Sequence, residues 1–252
     1  MGANTRLKLI TETVQSNKRV SVTELSKKCN VTEETIRKDL SKLESDGVLT
    51  RVHGGAVLNE QNQLAGIQFD QRKLIRASEK KIIAGNVQFL LTDGVSIFAD
   101  GSSTVSEALA TMSDDTDIMV ISNSTNLFFD LLHKKARVIS TGGLFNRKHL
   151  SLQGNVAKET LSKYHVDYAL ISCKAVDLER GIQDSDEAEA EIKKCMIEHA
   201  DKVILLVDNT KIDKNSLIHL MNLDKISFLI TDKEPSQEWM NYCYEHDIEL
   251  VY

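Results

Sequence analysis

Residues 20–58 constrain this chain more tightly than any other stretch, because they hold two helix starts with room for only one tight turn between them. Ser21-Val22-Thr23-Glu24 has the capping-box spacing, in which a hydroxyl and a glutamate each satisfy a backbone N–H that the first turn leaves open. Val20 and Leu25 sit where a hydrophobic staple packs. Thr32 is a second N-cap, and Val31 and Ile36 repeat the staple spacing. Only Cys29-Asn30-Val31 separates the two, and Asn30 tolerates the left-handed conformation that ends a helix. Two short helices across such a turn predict a helix-turn-helix.

The second of these helices is the one suited to reading a duplex. Ile36, Leu40 and Leu43 recur at helical spacing and form its buried stripe. Thr35, Arg37, Lys38, Ser41 and Lys42 lie off that stripe, where N-terminal residues of a recognition helix reach base edges and its cations meet phosphate. Glu33 and Glu34 suit the positive end of the helix dipole and can accept from a cytosine amine. Gly47 is the expected helix stop. Residues 48–52 and 56–58 read as short strands around Gly54-Gly55, with Arg51 and His53 near the tip, which makes a basic wing. The candidate DNA contacts are Ser21, Thr32, Glu33, Thr35, Arg37, Lys38, Ser41, Lys42, Arg51, His53 and Gly54. A capped helix pair alone is common in ordinary packing; the basic hairpin beside it is what favours nucleic acid.

Charge is informative only once it is divided along the chain. The whole chain holds 31 Lys/Arg against 37 Asp/Glu, whereas residues 1–58 hold ten against seven, leaving 21 against 30 for the remainder. A basic first segment on an acidic body places any nucleic-acid surface on the first domain. With 252 residues, the chain accommodates a small domain (1–58), a polar linker (59–68) and a larger domain (69–252). Cys29, Cys173, Cys195 and Cys243 are too scattered for a disulfide framework or a zinc site, and the seven histidines are equally dispersed. No metal or cofactor is expected. Without an apolar run of membrane-spanning length or a leader-like start, the expected compartment is the cytoplasm.

From residue 78 the pattern alternates. Helices are expected at 78–91, 104–112, 125–134, 155–164, 186–200 and near 235–245. Strands are expected at 95–99, 118–122, 137–141, 168–172, 203–207, 228–231 and 248–251. Such alternation means βαβ units and a mainly parallel sheet, whose ligands sit beyond the C-terminal strand ends. The loops there contain Asp100-Gly101-Ser102-Ser103-Thr104, Ser122-Asn123-Ser124 and Gly142-Gly143, small residues that expose backbone N–H groups to an anion at helix starts. Any one of them is explained by turn conformation and capping alone; three at one sheet edge favour a phosphorylated ligand. Lys174, Lys211 and Arg147 are candidates to pair its phosphate, and Asp100, Asp177 and Asp208 complete the candidate effector set, with Asp100 and Asp177 placed to hold sugar hydroxyls. The run from Glu187 through Glu191 to Lys193 reads as a solvated face with local ion pairs.

The stretch V-T-E-E-T-I-R-K-D-L-S-K-L-E-S-D-G-V-L-T-R-V-H-G-G-A resembles the signature of the DeoR family of bacterial transcription regulators. D-G-S-S-T, S-N-S, T-G-G, D-Y-A-L-I-S-C-K-A-V-D, G-I-x-D-S, E-A-E-x-x-x-K and D-N-T-K, with Phe69 and Arg72 as an F-x-x-R pair, resemble the effector domain of the same family. Together these cover nearly the whole chain. The resemblance implies a winged helix-turn-helix followed by an α/β domain similar to the ribose-5-phosphate isomerase (ISOCOT) fold, responding to a phosphorylated sugar or polyol. It also implies control of a carbohydrate-utilisation operon, by repression rather than activation. The chain departs from the family pattern where Gly101-Ser102-Ser103-Thr104 replaces G-T-T and Ser172-Cys173-Lys174-Ala175 replaces G-x-x-G. S-C-K-A-V-D with S-S-T is more similar to the fucose-operon regulator branch, which points toward a deoxy-sugar phosphate.

Two other functions compete. A sugar-phosphate isomerase fused to a DNA-binding head needs a base to move a proton and a cation to stabilise the enediolate. The isomerases that the domain resembles carry a K-G-G-G-type segment after an acidic loop; here that region is Asp184-Ser185-Asp186-Glu187, and Lys174 precedes Asp177. Binding without turnover, and no catalytic residue, is the expectation. A protein-binding scaffold is the third reading, against which the basic asymmetry and the reading helix both weigh. Because one small head touches few base pairs, a homo-oligomer, dimer or tetramer, on a double-stranded operator is expected.

Overall fold

The computed structural model describes residues 3–45, 49–58 and 69–252. Gly47 and the expected linker 59–68 lie outside them. The chain divides into the units Met1–Ala77 and Ser78–Tyr252.

In the first unit the elements run α1 (Ala3–Asn17), β1 (Arg19–Ser21), α2 (Val22–Cys29), α3 (Glu33–Ser45), β2 (Leu49–Val52), β3 (Gly55–Leu58) and α4 (Phe69–Leu74). Both starts form as the sequence predicts. Ser21 Oγ accepts from the Glu24 N–H at 3.1 Å and the Glu24 carboxylate accepts from the Ser21 N–H at 3.2 Å. That capping hydrogen bond, from the Ser21 side chain first, holds the Glu24 carboxyl below its ordinary range. Thr32 Oγ1 accepts from the Thr35 N–H at 3.3 Å. Asn30 takes φ 53°, ψ 52° and closes α2. Ile10 and Val14 of α1 pack with Val22, Leu25, Ile36, Leu40 and Leu43 in one core. Arg6 Nε to Asp39 Oδ2, at 2.5 Å, ties α1 to α3.

The wing is larger than the sequence suggests. Strand β1, which the sequence pattern did not single out, adds to the hairpin in the order β1-β3-β2. Its register, Val20 against Ala56 and Ser21 against Gly55, brings two backbones together closely. A Cβ on Gly55 would lie 2.0 Å from the Val20 carbonyl oxygen, so only glycine fits there. The N–H of Val22 donates to Gly54 O at 2.9 Å, fastening the wing tip to the start of α2.

The second unit runs α5 (Ala77–Asn86), β4 (Ser96–Ala99), α6 (Ser103–Thr111), β5 (Met119–Ser122), α7 (Leu127–Asp130), β6 (Arg137–Ser140), β7 (Leu144–Asn146), β8 (Ser151–Gln153), α8 (Asn155–Leu161), β9 (Val166–Ile171), β10 (Ala175–Asp177), β11 (Gly181–Asp184), α9 (Glu187–Glu198), β12 (Ala200–Leu206), β13 (Ile218–Met221), β14 (Phe228–Ile230), α10 (Gln237–Glu245) and β15 (Glu249–Val251). Seven strands form one parallel sheet in the order β15-β14-β12-β9-β4-β5-β6. Side chains alternate across it. Phe98, Ile121, Ile171 and Leu205 face the core made with α8, α9 and α10. Ile97, Val120, Leu170 and Ile204 face the core made with α5 and α6. Burial on both faces explains why these strands read as unbroken apolar runs.

Two expected helices are shorter than the sequence suggests. The helix expected over 125–134 is only the single turn α7, because Asn123 and Thr125 are paired with the β7–β8 hairpin: the Leu152 N–H donates to Asn123 O at 2.7 Å and the Thr125 N–H to Leu150 O at 2.9 Å. At its other end Lys134 Nζ is drawn to Met112 O at 2.5 Å. The helix expected over 78–91 ends at Asn86, followed by a 3-10 turn at Gln88–Leu90. The hairpin β7–β8 and the small antiparallel sheet β10-β11-β13 were not foreseen.

Candidate functional site

On the reading head, the exposed side of α3 is a lattice of paired charges. Arg37 Nη2 lies 2.8 Å from Glu33 Oε2 and Lys38 Nζ 3.2 Å from Glu34 Oε1. Glu33 also accepts from Thr23 Oγ1 at 2.8 Å, which links the two helices of the motif. Arg51 of the wing donates through Nη1 to Ser41 Oγ at 2.6 Å, so the wing and the reading helix present one surface. Thr35, half-buried, shares a hydrogen bond with Thr32, and Lys42, His53 and Gly54 are exposed on the same unit. Ser21 is half-buried and serves the cap.

In the second unit the sheet order sets the place. β4 and β9 are neighbours, yet the chain continues from β4 toward β5 and β6 and from β9 toward β12, β14 and β15. Open sheets bind their ligands in a crevice where strand order diverges in this way, beyond the carboxyl ends. Asp100 follows β4 and Ser172 follows β9, and the Asp100 carboxylate accepts from the Ser172 N–H at 2.9 Å and from the Ser102 N–H at 2.9 Å. Asp100 is 1% exposed and thus pins the two loops at the divergence.

Beneath it sits Lys193 of α9. Its Nζ donates to Ser172 O at 2.7 Å and to Asp184 Oδ2 at 2.5 Å, and lies 3.3 Å from Asp100 Oδ2. Burial works to lower the Lys193 pKa, but Asp184 and Asp100 outweigh it and hold the ammonium above the ordinary lysine range. Asp184 is the mirror case: burial works to raise it, and Lys193, the Ser185 N–H and Lys211 together hold it below the carboxylate range. Lys211 reaches the same place, donating to Ser172 Oγ at 3.1 Å and lying 3.9 Å from Asp208. Burial pushes the neighbouring Cys173 thiol up to about 12, so it stays an uncharged packing group.

The other wall is built by hydroxyls and amides. Ser122 Oγ donates to Ala99 O at 2.6 Å and accepts from the Ser124 N–H at 3.0 Å. Asn123 Nδ2 donates to Leu152 O at 3.2 Å. Ser102 caps α6 by accepting from the Val105 N–H at 3.2 Å, leaving Ser103 and Thr104 buried in its first turn. Gly143 is held by packing: a Cβ would meet Gln153 O at 2.5 Å. Glu189 of α9 accepts from Ser151 Oγ, and from Gln153 Nε2 at 2.5 Å.

The structure therefore gathers Asp100, Ser102, Ser122, Asn123, Asp208 and Lys211 around the divergence. Lys174, half-buried, lies two residues past Ser172, and its N–H donates to Gln183 O at 2.9 Å. Asp177 is elsewhere, accepting from the Glu179 and Arg180 N–H groups in the turn after β10. Arg147 is exposed in the β7–β8 turn, and no described hydrogen bond or ion pair joins it to the cluster. The solvated-face reading of α9 needs correction. Glu187 and Glu191 are exposed, but Glu189 and Lys193 are each 6% exposed and bond to the loops holding Ser151 and Ser172. The signal was present: Glu189 and Lys193 fall on one helical face with the core residue Met196.

A family profile described as "DeoR-like helix-turn-helix domain" matches residues 6–62, and one described as "DeoR C terminal sensor domain" matches 75–233. The chain belongs to the DeoR family. As a member it is a DNA-binding transcriptional regulator with a C-terminal sensor domain, and not an enzyme. It is 36% identical over 249 residues to the L-fucose operon activator of Haemophilus influenzae, covering 98% of this chain and 99% of that one. It is 40% identical over 228 residues to the uncharacterized HTH-type transcriptional regulator YulB of Bacillus subtilis, covering 90% and 88%. Among solved structures it is similar to ribose 5-phosphate isomerase A from Methanocaldococcus jannaschii, with TM-score 0.40, 16% identity and 53% of each chain covered. Among the described residues no helix of this DeoR-family chain is long and apolar enough to cross a membrane, and no His/Cys/Asp/Glu group could hold a metal ion.

Proposed function

We propose that this regulator controls a carbohydrate-utilisation operon in the cytoplasm, and that its DNA affinity is set by a phosphorylated sugar or polyol bound in the sensor unit. The observation that supports this reading best is the meeting of the loops after β4 and β9, where a buried cation network stands beside hydroxyl- and amide-rich turns. An anion is favoured near Lys211, Lys174 and the first turn of α6, while the carboxylates and amides beside them suit hydroxyl groups. The head, linker and sensor of this scheme are residues 1–58, 59–68 and 69–252.

Two copies bind one operator, since a single head reads too few base pairs for useful specificity. Thr35, Arg37, Lys38, Ser41 and Lys42 face the major groove, and Arg51, His53 and Gly54 meet the backbone. Repression is the proposed mode, because occupancy alone blocks a promoter whereas activation needs a further surface for polymerase. The Haemophilus influenzae relative is named an activator, so reporter expression in a strain lacking this chain decides the sign. The test of the sensor is a thermal-shift screen of the full chain against sugar and polyol phosphates, each matched with its unphosphorylated form. Stabilisation by phosphorylated members only is expected; equal stabilisation by both forms overturns the phosphate requirement.

A further inference from the structure

We propose that Gly101, Asn123 and Glu189 form a hydroxyl-reading subsite in the sensor crevice, which selects the ligand by its sugar body rather than by its phosphate. This rests on the reading of the crevice as a sugar-phosphate site.

Asn123 is fully buried, and its amide is oriented by the bond from Nδ2 to Leu152 O. Its Oδ1 is buried without a hydrogen-bond partner, a costly arrangement unless something donates to it. Glu189 is 6% exposed, and both of its side-chain hydrogen bonds, from Ser151 and Gln153, end on Oε1. The two remaining oxygens converge on Gly101. A Cβ built there would lie 3.6 Å from Glu189 Oε2 and 3.9 Å from Asn123 Oδ1, with Ser151 Cβ at 3.3 Å. Gly101 does not have a positive φ, so its backbone conformation does not call for glycine. What glycine does at this position is keep a side chain out of the space that the two oxygens face.

Both oxygens accept and neither donates, and one belongs to a carboxylate. A phosphate, itself an acceptor and anionic, is repelled there, whereas a hydroxyl donates to either. Ser124 Oγ, also buried without a partner, supplies a group able to donate or accept nearby. The cations Lys193 and Lys211 both bond to Ser172, and Lys193 also lies 3.3 Å from Asp100. The ligand is therefore polarised: its hydroxyl-bearing carbons lie toward Asn123 Oδ1 and Glu189 Oε2, and its phosphate lies away from those two oxygens.

The test uses the full chain, Glu189→Gln and Gly101→Ala, each confirmed folded by circular dichroism. Calorimetric titration is made with a panel of four- to six-carbon sugar and polyol phosphates and with their deoxy counterparts at successive carbons. For at least one carbon the parent chain binds the hydroxyl form ten-fold or more tighter than the deoxy form, since a site built to bond a hydroxyl rejects its absence. In both variants that ratio falls toward one. A structural defect weakens the two forms alike and leaves the ratio standing, so an unchanged ratio in both variants overturns the subsite while leaving the sugar-phosphate reading intact. Failure of the parent chain to bind any phosphorylated member overturns the underlying reading, and the subsite with it.

Discussion

Replacing Lys193 by Met keeps most of the side-chain volume and removes the charge. In the structure Lys193 is bonded to Asp184, close to Asp100 and 6% exposed, with the two carboxylates 7% and 1% exposed. Without the ammonium both carboxylates stay enclosed, and Asp184 keeps only the Ser185 N–H and the weaker pull of Lys211. Breaking a buried pair by deleting one partner costs about 3–5 kcal/mol. For a unit of this size each kcal/mol shifts the midpoint by about 2–4 °C, so the sensor transition falls by roughly 6–20 °C. The sign with pH is distinctive. In the parent chain the depressed Asp184 contributes stability above about pH 4, lost as pH falls through its lower folded value. The raised Lys193 contributes below about pH 10.4 and is lost as pH rises through its higher folded value. In the variant burial is left to dominate Asp184 and raises it, so that form gains stability relative to the parent as pH falls from 8 to 5. Calorimetric melting of both proteins across that range reads the gap directly. A midpoint within about 2 °C of the parent at pH 7.5, or a gap that does not narrow on acidification, refutes the reasoning.

Arg37→Ala weakens specific DNA binding by about ten-fold or more, the usual cost of a base-reading arginine, with ligand binding unchanged; a salt-controlled anisotropy titration checks this, and equal affinity removes Arg37 from the reading surface. Gly55→Ala forces β1 away from β3, because its Cβ meets Val20 O at 2.0 Å, and costs the head about 3 kcal/mol or more by urea unfolding. Ser21→Ala removes the capping box and lowers head stability by about 1 kcal/mol, without altering the sensor melt. Ser103→Asp abolishes ligand-induced stabilisation through repulsion of phosphate; a retained thermal shift removes that loop from the site.

The parts of the fold legible in the sequence are those set by local chemistry. Ser21, Glu24, Asn30 and Thr32 each act through groups within a few residues, and the structure shows the caps and the left-handed turn they predict. The buried strands were legible because their apolar runs stand between turn residues. What escaped depends on partners far along the chain. β1 is a strand only because β3 lies beside it, thirty-odd residues on. The hairpin β7–β8 is short, and its pairing with the Asn123 loop is what shortens α7. Glu189 and Lys193 look like surface charges until the loops holding Ser151 and Ser172 fold over them. Asp177 carries the right chemistry for a sugar, but the turn after β10 uses its carboxylate.

In the proposed scheme, ligand occupancy of the sensor and DNA occupancy of the head are linked. The most direct measurement is the dissociation constant for duplex DNA selected by this protein from its own genome. It is taken by fluorescence anisotropy at fixed salt, with and without a saturating amount of the sugar phosphate that stabilises the chain most. Coupling of ordinary size changes that constant about 5- to 150-fold in one direction. Identical constants in both conditions, with the ligand shown to be bound, contradict the account.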